Sequence, residues 1–112
     1  MARLVAIACL AVLSTAALAA AAPAATPVYK GTVGPGFTIK LLKPPTKPGK
    51  VKLVVADLSS SHDFHLTGPG VDVKTSIGGM GTKTFTVSLK KGTYTYVCDP
   101  HKSFMKGSFA IR

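Results

Sequence analysis

From Val28 onward, glycines and prolines divide the chain into short segments of strand-like composition. β-Branched and aromatic residues alternate with polar ones in these segments, and none has the 3.6-residue period of an amphipathic helix. The predicted strands span residues 28–33, 37–42, 50–58, 62–68, 82–90, 92–98 and 106–112. Seven short strands at this spacing predict an all-β fold, an antiparallel β-sandwich with Greek-key connections.

Alternation along a strand also predicts which side chains face the core. Tyr94, Tyr96 and Cys98 share one side of their predicted strand, and Phe85 and Val87 share one side of theirs. Cys98 occupies the last position of its row. We therefore expect its thiol at one end of the sandwich, at the edge of the core.

The N-terminal segment differs in composition from the rest of the chain. Arg3 is followed by an apolar run from residue 4 to about 13 and then by small residues, mostly alanine. This order is typical of a secretory signal peptide, and the run is too short for a transmembrane anchor, which needs about 20 apolar residues. We expect cleavage between Ala19 and Ala25 and a periplasmic or extracellular location without stable membrane insertion. The predicted parts are a signal peptide over 1–22, a linker over 23–27 and one domain over 28–112.

Removal of the signal peptide leaves a single cysteine. Cys9 departs with the peptide, so Cys98 cannot form a disulfide within the chain. An unpaired thiol in an oxidising compartment is buried, pairs with another chain or binds a metal. The neighbours of Cys98 decide among these possibilities.

Three possible metal donors lie close together in the segment CDPHKSFMKG, residues 98–107. Cys98 is followed after two residues by His101, and His101 after three residues by Met105. Pro100 restricts the turn between the first two. A loop of this length can bring a thiol, an imidazole and a thioether around one point, so a metal site accounts for the unpaired thiol.

A fourth donor has to come from another strand, and the segment SSSHDFHLTGPG contains two histidines. His62 begins a predicted strand and is preferred; His65 is the second choice, because strand alternation points it to the opposite face. Two imidazoles, a thiolate and a weakly bound thioether form the type 1 copper arrangement. Zinc would make no use of the methionine.

A complete set of four donors leaves no open position for a substrate. Nucleophilic catalysis by Cys98 and His101 is the alternative use of two of these residues, but the closed set favours electron transfer over bond chemistry. Three histidines are also too few for the additional copper ions of multicopper enzymes. We therefore expect no enzymatic turnover by this chain.

The segments GTYTYVCDPHKSFMKGSF and HDFHLTGPGV resemble the cupredoxins, the small blue copper proteins that include plastocyanin, amicyanin and pseudoazurin. The resemblance covers about residues 28–112. It implies a Greek-key β-sandwich, one copper ion that alternates between Cu(I) and Cu(II), and one-electron transfer between larger redox partners outside the cytoplasm. The implied ligands are His62, Cys98, His101 and the axial Met105. The loop between the last two is one residue shorter than in plastocyanin and one longer than in amicyanin.

Two aspartates depart from the family pattern. Asp63 stands where an asparagine commonly follows the first histidine and ties the two ligand segments together, and Asp99 stands where serine or threonine is common. Two adjacent carboxylates do not both ionise readily, so we expect either that one keeps its proton and donates a hydrogen bond or that Asp99 turns to solvent. Because negative charge near copper favours Cu(II), Asp63→Asn is predicted to raise the reduction potential.

Net charge bears on the partners. Without Arg3, 13 basic residues face four aspartates, and the lysines are scattered singly rather than clustered. This pattern predicts no specific nucleic-acid binding. It favours brief, salt-sensitive encounters between a monomer and acidic redox partners. The predicted docking rim comprises Pro69, Met80, Pro100 and Phe104, surrounded by Lys74, Lys102 and Lys106.

Two other functions fit the same sequence less well. A copper buffering or delivery protein of the same fold would have similar ligands, and sequence alone barely separates it from an electron carrier. A β-sandwich adhesion module without metal would require the donor positions to coincide by chance. The leading prediction is an exported electron carrier.

Overall fold

The computed structural model describes residues 8–20 and 24–112. Residues 8–20 are exposed and form neither helix nor strand. The predicted signal peptide over 1–22 lies partly outside the described residues, and it stays a prediction together with the linker boundary. Within the described part of the chain, no helix is long and apolar enough to cross a membrane.

Eight strands and one turn of 3₁₀ helix make up the domain. The strands are β1 (Val28–Val33), β2 (Ile39–Leu41), β3 (Gly49–Asp57), β4 (His65–Gly68), β5 (Val71–Lys74), β6 (Gly81–Leu89), β7 (Gly92–Val97) and β8 (Lys106–Ile111). The 3₁₀ turn, Asp99–His101, lies between β7 and β8. The prediction of an all-β domain is confirmed.

The strands form two four-stranded sheets. Sheet A has the order β2-β1-β3-β6 and sheet B the order β5-β4-β7-β8, as expected for a sandwich and consistent with Greek-key connections. The expectation that all pairs are antiparallel is wrong for one pair, since β1 and β3 are parallel. The chain reverses direction at β2 and again after it, so β3 runs in the same direction as β1 when it returns to lie beside it.

The inner faces of the two sheets form the core. Tyr94, Tyr96 and Cys98 are all buried, which confirms the predicted inward row along β7. Tyr94 stacks on Phe109, and Tyr96 stacks on Phe64 with ring centroids 5.4 Å apart. These stacked rings extend the core to the end of the sandwich at which Cys98 lies.

Gly107 makes room for one of these rings. A Cβ atom at this position would lie 2.3 Å from the ring of Tyr96, far inside van der Waals contact. Glycine therefore lets β8 pass closely over the aromatic ring beneath the end of the sandwich.

The observed strands depart most from the prediction at two places. The strand predicted over 62–68 begins only at His65, because Asp57 Oδ1 accepts a hydrogen bond from Ser59 N–H and starts a turn that continues to residue 61. His62 therefore lies in an irregular segment before β4. Strand β5 was not predicted; it forms where the turn after β4 folds residues 71–74 back along it.

Candidate metal centre

The loop between β7 and β8 is held closed by three backbone hydrogen bonds. His101 N–H donates to the carbonyl of Cys98 (3.0 Å), and Met105 N–H donates to the carbonyl of His101 (2.8 Å). Cys98 N–H donates in turn to the carbonyl of Met105 (3.0 Å). The three predicted donors of this loop therefore belong to one small, internally bonded unit.

The segment that carries His62 is attached to this loop and to the chain after β5. Asp63 Oδ1 accepts a hydrogen bond of 2.6 Å from Asp99 N–H. Phe64 N–H donates to Thr75 Oγ1 (2.9 Å), and Thr75 N–H donates to the carbonyl of Phe64 (3.0 Å). An irregular segment thus receives a fixed position without strand pairing.

Three of the predicted ligands converge on one point. The Nδ1 atoms of His62 and His101 are 3.1 Å apart, and Cys98 Sγ lies 3.6 Å from the first and 3.5 Å from the second. His62 and Cys98 are buried, whereas His101 is partly exposed. The three atoms outline a nearly equilateral triangle at the end of the sandwich.

The size of this triangle suits a transition metal. A point in its plane lies about 2.0 Å from every corner, close to the metal–nitrogen distance of about 2.0–2.1 Å and somewhat shorter than a zinc–thiolate bond. The donor set therefore fits a trigonal metal ion with two nitrogens and one sulfur.

The thiol of Cys98 holds its proton more tightly than an exposed cysteine does. Burial raises the pKa of Cys98, and the Asp63 carboxyl raises it further. Hydrogen bonds from the backbone of Asp63 and His101 lower the pKa, but by less. A buried thiol of this kind keeps its proton unless a cation replaces it. Two imidazole nitrogens facing this sulfur supply the other donors of such a cation.

Met105 is the fourth predicted ligand and is 1% exposed. It lies in the hydrophobic core cluster together with Cys98, and its backbone closes the loop described above. A buried thioether beside a thiolate and two imidazoles is the donor chemistry that separates a copper site from a zinc site.

His65 does not join this group. Its Nδ1 lies 2.9 Å from Asp99 Oδ1 and its Nε2 lies 2.6 Å from Asp72 Oδ1, so both ring nitrogens are engaged by carboxylates. Partial burial lowers the pKa of His65, but the hydrogen bonds to Asp99 and Asp72 raise it more, and the pKa lies above its ordinary value. Of the two histidines considered, the structure brings His62 to the thiol.

The two aspartates between the ligand segments are unequal. Burial raises the pKa of Asp63, and the Asp99 carboxyl raises it further. A hydrogen bond from the Asp99 backbone lowers the pKa of Asp63, but by less. A hydrogen bond with the adjacent Asp63 carboxyl lowers the pKa of Asp99, and His65 lowers it further. Partial burial raises the pKa of Asp99, but by less. Of the two carboxyls, Asp63 therefore keeps its proton to higher pH than Asp99.

Neither arrangement expected for the pair is complete. Asp99 Oδ1 lies 2.9 Å from His65 Nδ1 rather than turning to solvent, and Asp63 Oδ2 has no hydrogen-bond partner among the described residues. The hypothesis that Asp63→Asn raises the reduction potential stays a prediction. A rise requires Asp63 to be ionised in the copper-loaded protein, so voltammetry of that variant decides the matter.

An aromatic residue that the sequence did not single out covers the site. Phe37 lies in the turn before β2, and its ring centroid is 5.1 Å from that of His101 and 5.6 Å from those of His62 and Phe104. Phe37 and Phe104 are 64% and 58% exposed. The segment GPGF, which sets an aromatic residue directly after a glycine turn, was the available signal.

The predicted docking rim needs one correction. Pro69 packs against Gly92, and its carbonyl accepts a hydrogen bond of 3.0 Å from Tyr94 Oη. Gly92 begins β7, whose other end leads into Cys98. Pro69 therefore lies at the opposite end of the sandwich, because β4 runs the full length of sheet B before the turn that contains it.

Asp63 provides a stability test of the junction. Replacement of Asp63 by Ala leaves the buried N–H of Asp99 without its acceptor and should lower the free energy of unfolding of the copper-free protein by about 1–3 kcal/mol. Asp63→Asn keeps an acceptor oxygen at the same place and should cost less. Urea unfolding of both variants measures the difference, and equal losses would show that the hydrogen bond does not hold the segments together.

Comparisons with known proteins agree with this geometry. The family model described as copper binding proteins, plastocyanin/azurin family, matches residues 32–112. A copper protein named rusticyanin has a similar fold, with 20% identity, a TM-score of 0.57 and 76% of each chain covered. Rusticyanin from Thiobacillus ferrooxidans has 22% identity and a TM-score of 0.55, again with 76% of each chain covered. Comparison of the sequence with curated proteins finds no match.

The family match spans most of the domain and includes both segments that carry the converging donors. The predicted cofactor, copper, and the predicted cupredoxin fold are confirmed by this match and by the structural similarity. The chain belongs to the plastocyanin/azurin family of copper binding proteins, the cupredoxins.

Proposed function

We propose that this chain is an electron carrier with a type 1 copper site held by His62, Cys98, His101 and Met105. The convergence of two imidazole nitrogens and one thiol sulfur within 3.1–3.6 Å of one another carries the proposal. A copper ion bound there would accept and release one electron. The closed donor set leaves no position for a substrate, so we propose no enzymatic turnover.

The protein's own residues support this role by holding the donors in place. The loop hydrogen bonds and the bond between Asp63 and Asp99 N–H fix the two ligand segments relative to each other. Phe37 and Phe104 pack against His101 and limit the access of water. A donor set that does not rearrange between the two charge states keeps the cost of electron transfer low.

Addition of Cu(II) to the purified protein tests the site. We expect an intense visible band from charge transfer between thiolate and copper, and its loss in Cys98→Ala. His62→Gln should also abolish or strongly shift the band, whereas the matched control His65→Gln should leave it in place.

A band that survives in Cys98→Ala, or one that depends on His65 rather than His62, would contradict the ligand assignment. Tight binding of Cu(I) by a protein that gives no such band with Cu(II) would contradict the electron-carrier function and favour copper buffering or delivery. The two results are distinguishable because the first concerns the ligands and the second concerns the state of the bound metal.

We also propose that the protein is exported and acts in the periplasm or outside the cell. The order of basic, apolar and small residues in the N-terminal segment supports this. N-terminal sequencing of the protein recovered from cell fractions should find a start between residues 20 and 26 outside the cytoplasm. An unprocessed chain in the cytoplasm would contradict the proposal.

Electrons would enter and leave through the exposed aromatic pair beside His101. Phe37 and Phe104 form an apolar surface over the partly exposed ligand, and Lys102 and Lys106 lie exposed nearby along the chain. Such a surface suits brief contact with an acidic redox partner.

The rate of electron self-exchange between the Cu(I) and Cu(II) forms tests this surface without a known partner. Phe104→Ser should lower the rate by about tenfold, since one exposed aromatic anchor commonly contributes that much to an encounter. Leu42→Ser removes an equally exposed apolar side chain on sheet A and should leave the rate unchanged. Equal effects of the two variants would exclude the aromatic pair as the contact surface.

A further inference from the structure

The outer face of sheet A carries a group of lysines that the copper site does not use. Strand pairing places Val28 beside Lys52, Lys30 beside Val54, and Thr32 beside both Lys40 and Ala56, all on the same side of the sheet. Strand β6 continues these rows with hydroxyl side chains. The exposed basic residues of the face and its rim are Lys30, Lys40, Lys43, Lys50 and Lys52.

No carboxylate of the described residues lies on this face. Asp57 and Asp63 are buried, and Asp72 and Asp99 bind His65 on the side of sheet B. The positive charge of the face is therefore uncompensated, although the chain as a whole mixes both signs. A field of one sign over a flat sheet attracts an extended anionic surface.

Aliphatic side chains lie among these lysines. Val28 and Leu42 are 54% and 53% exposed. Together with Tyr29, Lys30 and Lys43 they line a shallow groove of about 440 Å³ at the edge of the sheet. Lysines around exposed aliphatic groups form the pattern by which proteins bind the headgroup region of anionic bilayers.

Most lysines of the face lie toward the end of the sandwich away from the copper site, and Lys40, near the start of β2, is the exception. Lys50 and Lys52 lie at the start of β3, whereas the other end of β3 leads to the segment that carries His62. β1 likewise begins at Val28 on this face and ends near the turn that carries Phe37. A flat surface applied to sheet A therefore leaves the aromatic pair beside His101 free.

We propose that the outer face of sheet A docks on an anionic lipid bilayer and holds the copper end free for a redox partner. Lysine ammonium groups contact the headgroups, and Val28 and Leu42 enter the interface. Docking of this kind confines a small carrier to two dimensions while its electron-transfer surface remains exposed. It does not depend on the metal, so the protein should bind membranes with or without copper.

Co-sedimentation with vesicles tests the proposal. The purified copper-loaded protein should bind vesicles that contain phosphatidylglycerol and not those of phosphatidylcholine alone, and binding should weaken with added salt. The triple variant Lys30→Glu, Lys50→Glu and Lys52→Glu should reduce binding by at least about a hundredfold. The matched control, with Lys74, Lys102 and Lys106 changed to Glu, has the same net charge and should lose far less.

Three results would each contradict the proposal. Equal losses in the two triple variants would show that total charge, not this face, determines binding. Equal binding to phosphatidylcholine would show that the interaction does not depend on anionic headgroups. If the protein does not bind anionic vesicles, the bilayer is excluded, and an acidic protein becomes the expected partner of these lysines. The visible copper band of each variant reports its folding, and the corresponding Lys→Gln triples replace any that misfold.

Discussion

The hydrogen bond from Asp99 N–H to Asp63 Oδ1 joins the two parts of the chain on which the copper site depends. His62 lies in an irregular segment before β4, and the other donors lie in the loop after β7. The pairing of β4 with β7 ends at His65 and Val97. Beyond it the two ligand segments are held together by this 2.6 Å bond, by the contact of His65 with Asp99 and by the packing beneath them. Asp63 is fully buried, and its Oδ2 has no hydrogen-bond partner among the described residues. A neutral carboxyl is the form that such a place favours.

The sandwich supplies the support below this junction. Tyr96 stacks on Phe64, the residue directly after Asp63. Tyr96 also lies two residues before Cys98, on the same inward-facing side of the chain. One aromatic pair therefore packs under both ligand segments. His65 uses its two ring nitrogens on Asp72 and Asp99, and so stabilises the carboxylate that lies beside the thiolate ligand. In the structure the second histidine of the segment contacts two carboxylates and not the thiol.

Local patterns in the sequence predicted the direction in which side chains face along a strand and the ligands that lie close together in one loop. The alternation in β7 placed Cys98 at the end of the core, and the spacing to His101 and Met105 predicted the loop. Features that depend on distant residues were not predictable in this way. β5 exists because β4 lies beside it, the parallel pair of β1 and β3 follows from the chain crossing over, and Phe37 reaches both histidines from a turn far away in the sequence. Loop adjacency alone predicted Pro69 at the copper end, but β4 carries the chain to the other end of sheet B before Pro69 is reached.

The central claim is that the folded chain brings two imidazole nitrogens and one thiol sulfur to a single copper ion. X-ray absorption at the copper edge of the loaded protein measures the identity of the neighbouring atoms and their distances directly. The geometry predicts one sulfur and two nitrogens at about 2.0–2.3 Å. A copper ion surrounded only by nitrogen and oxygen, or by sulfur alone, would contradict it.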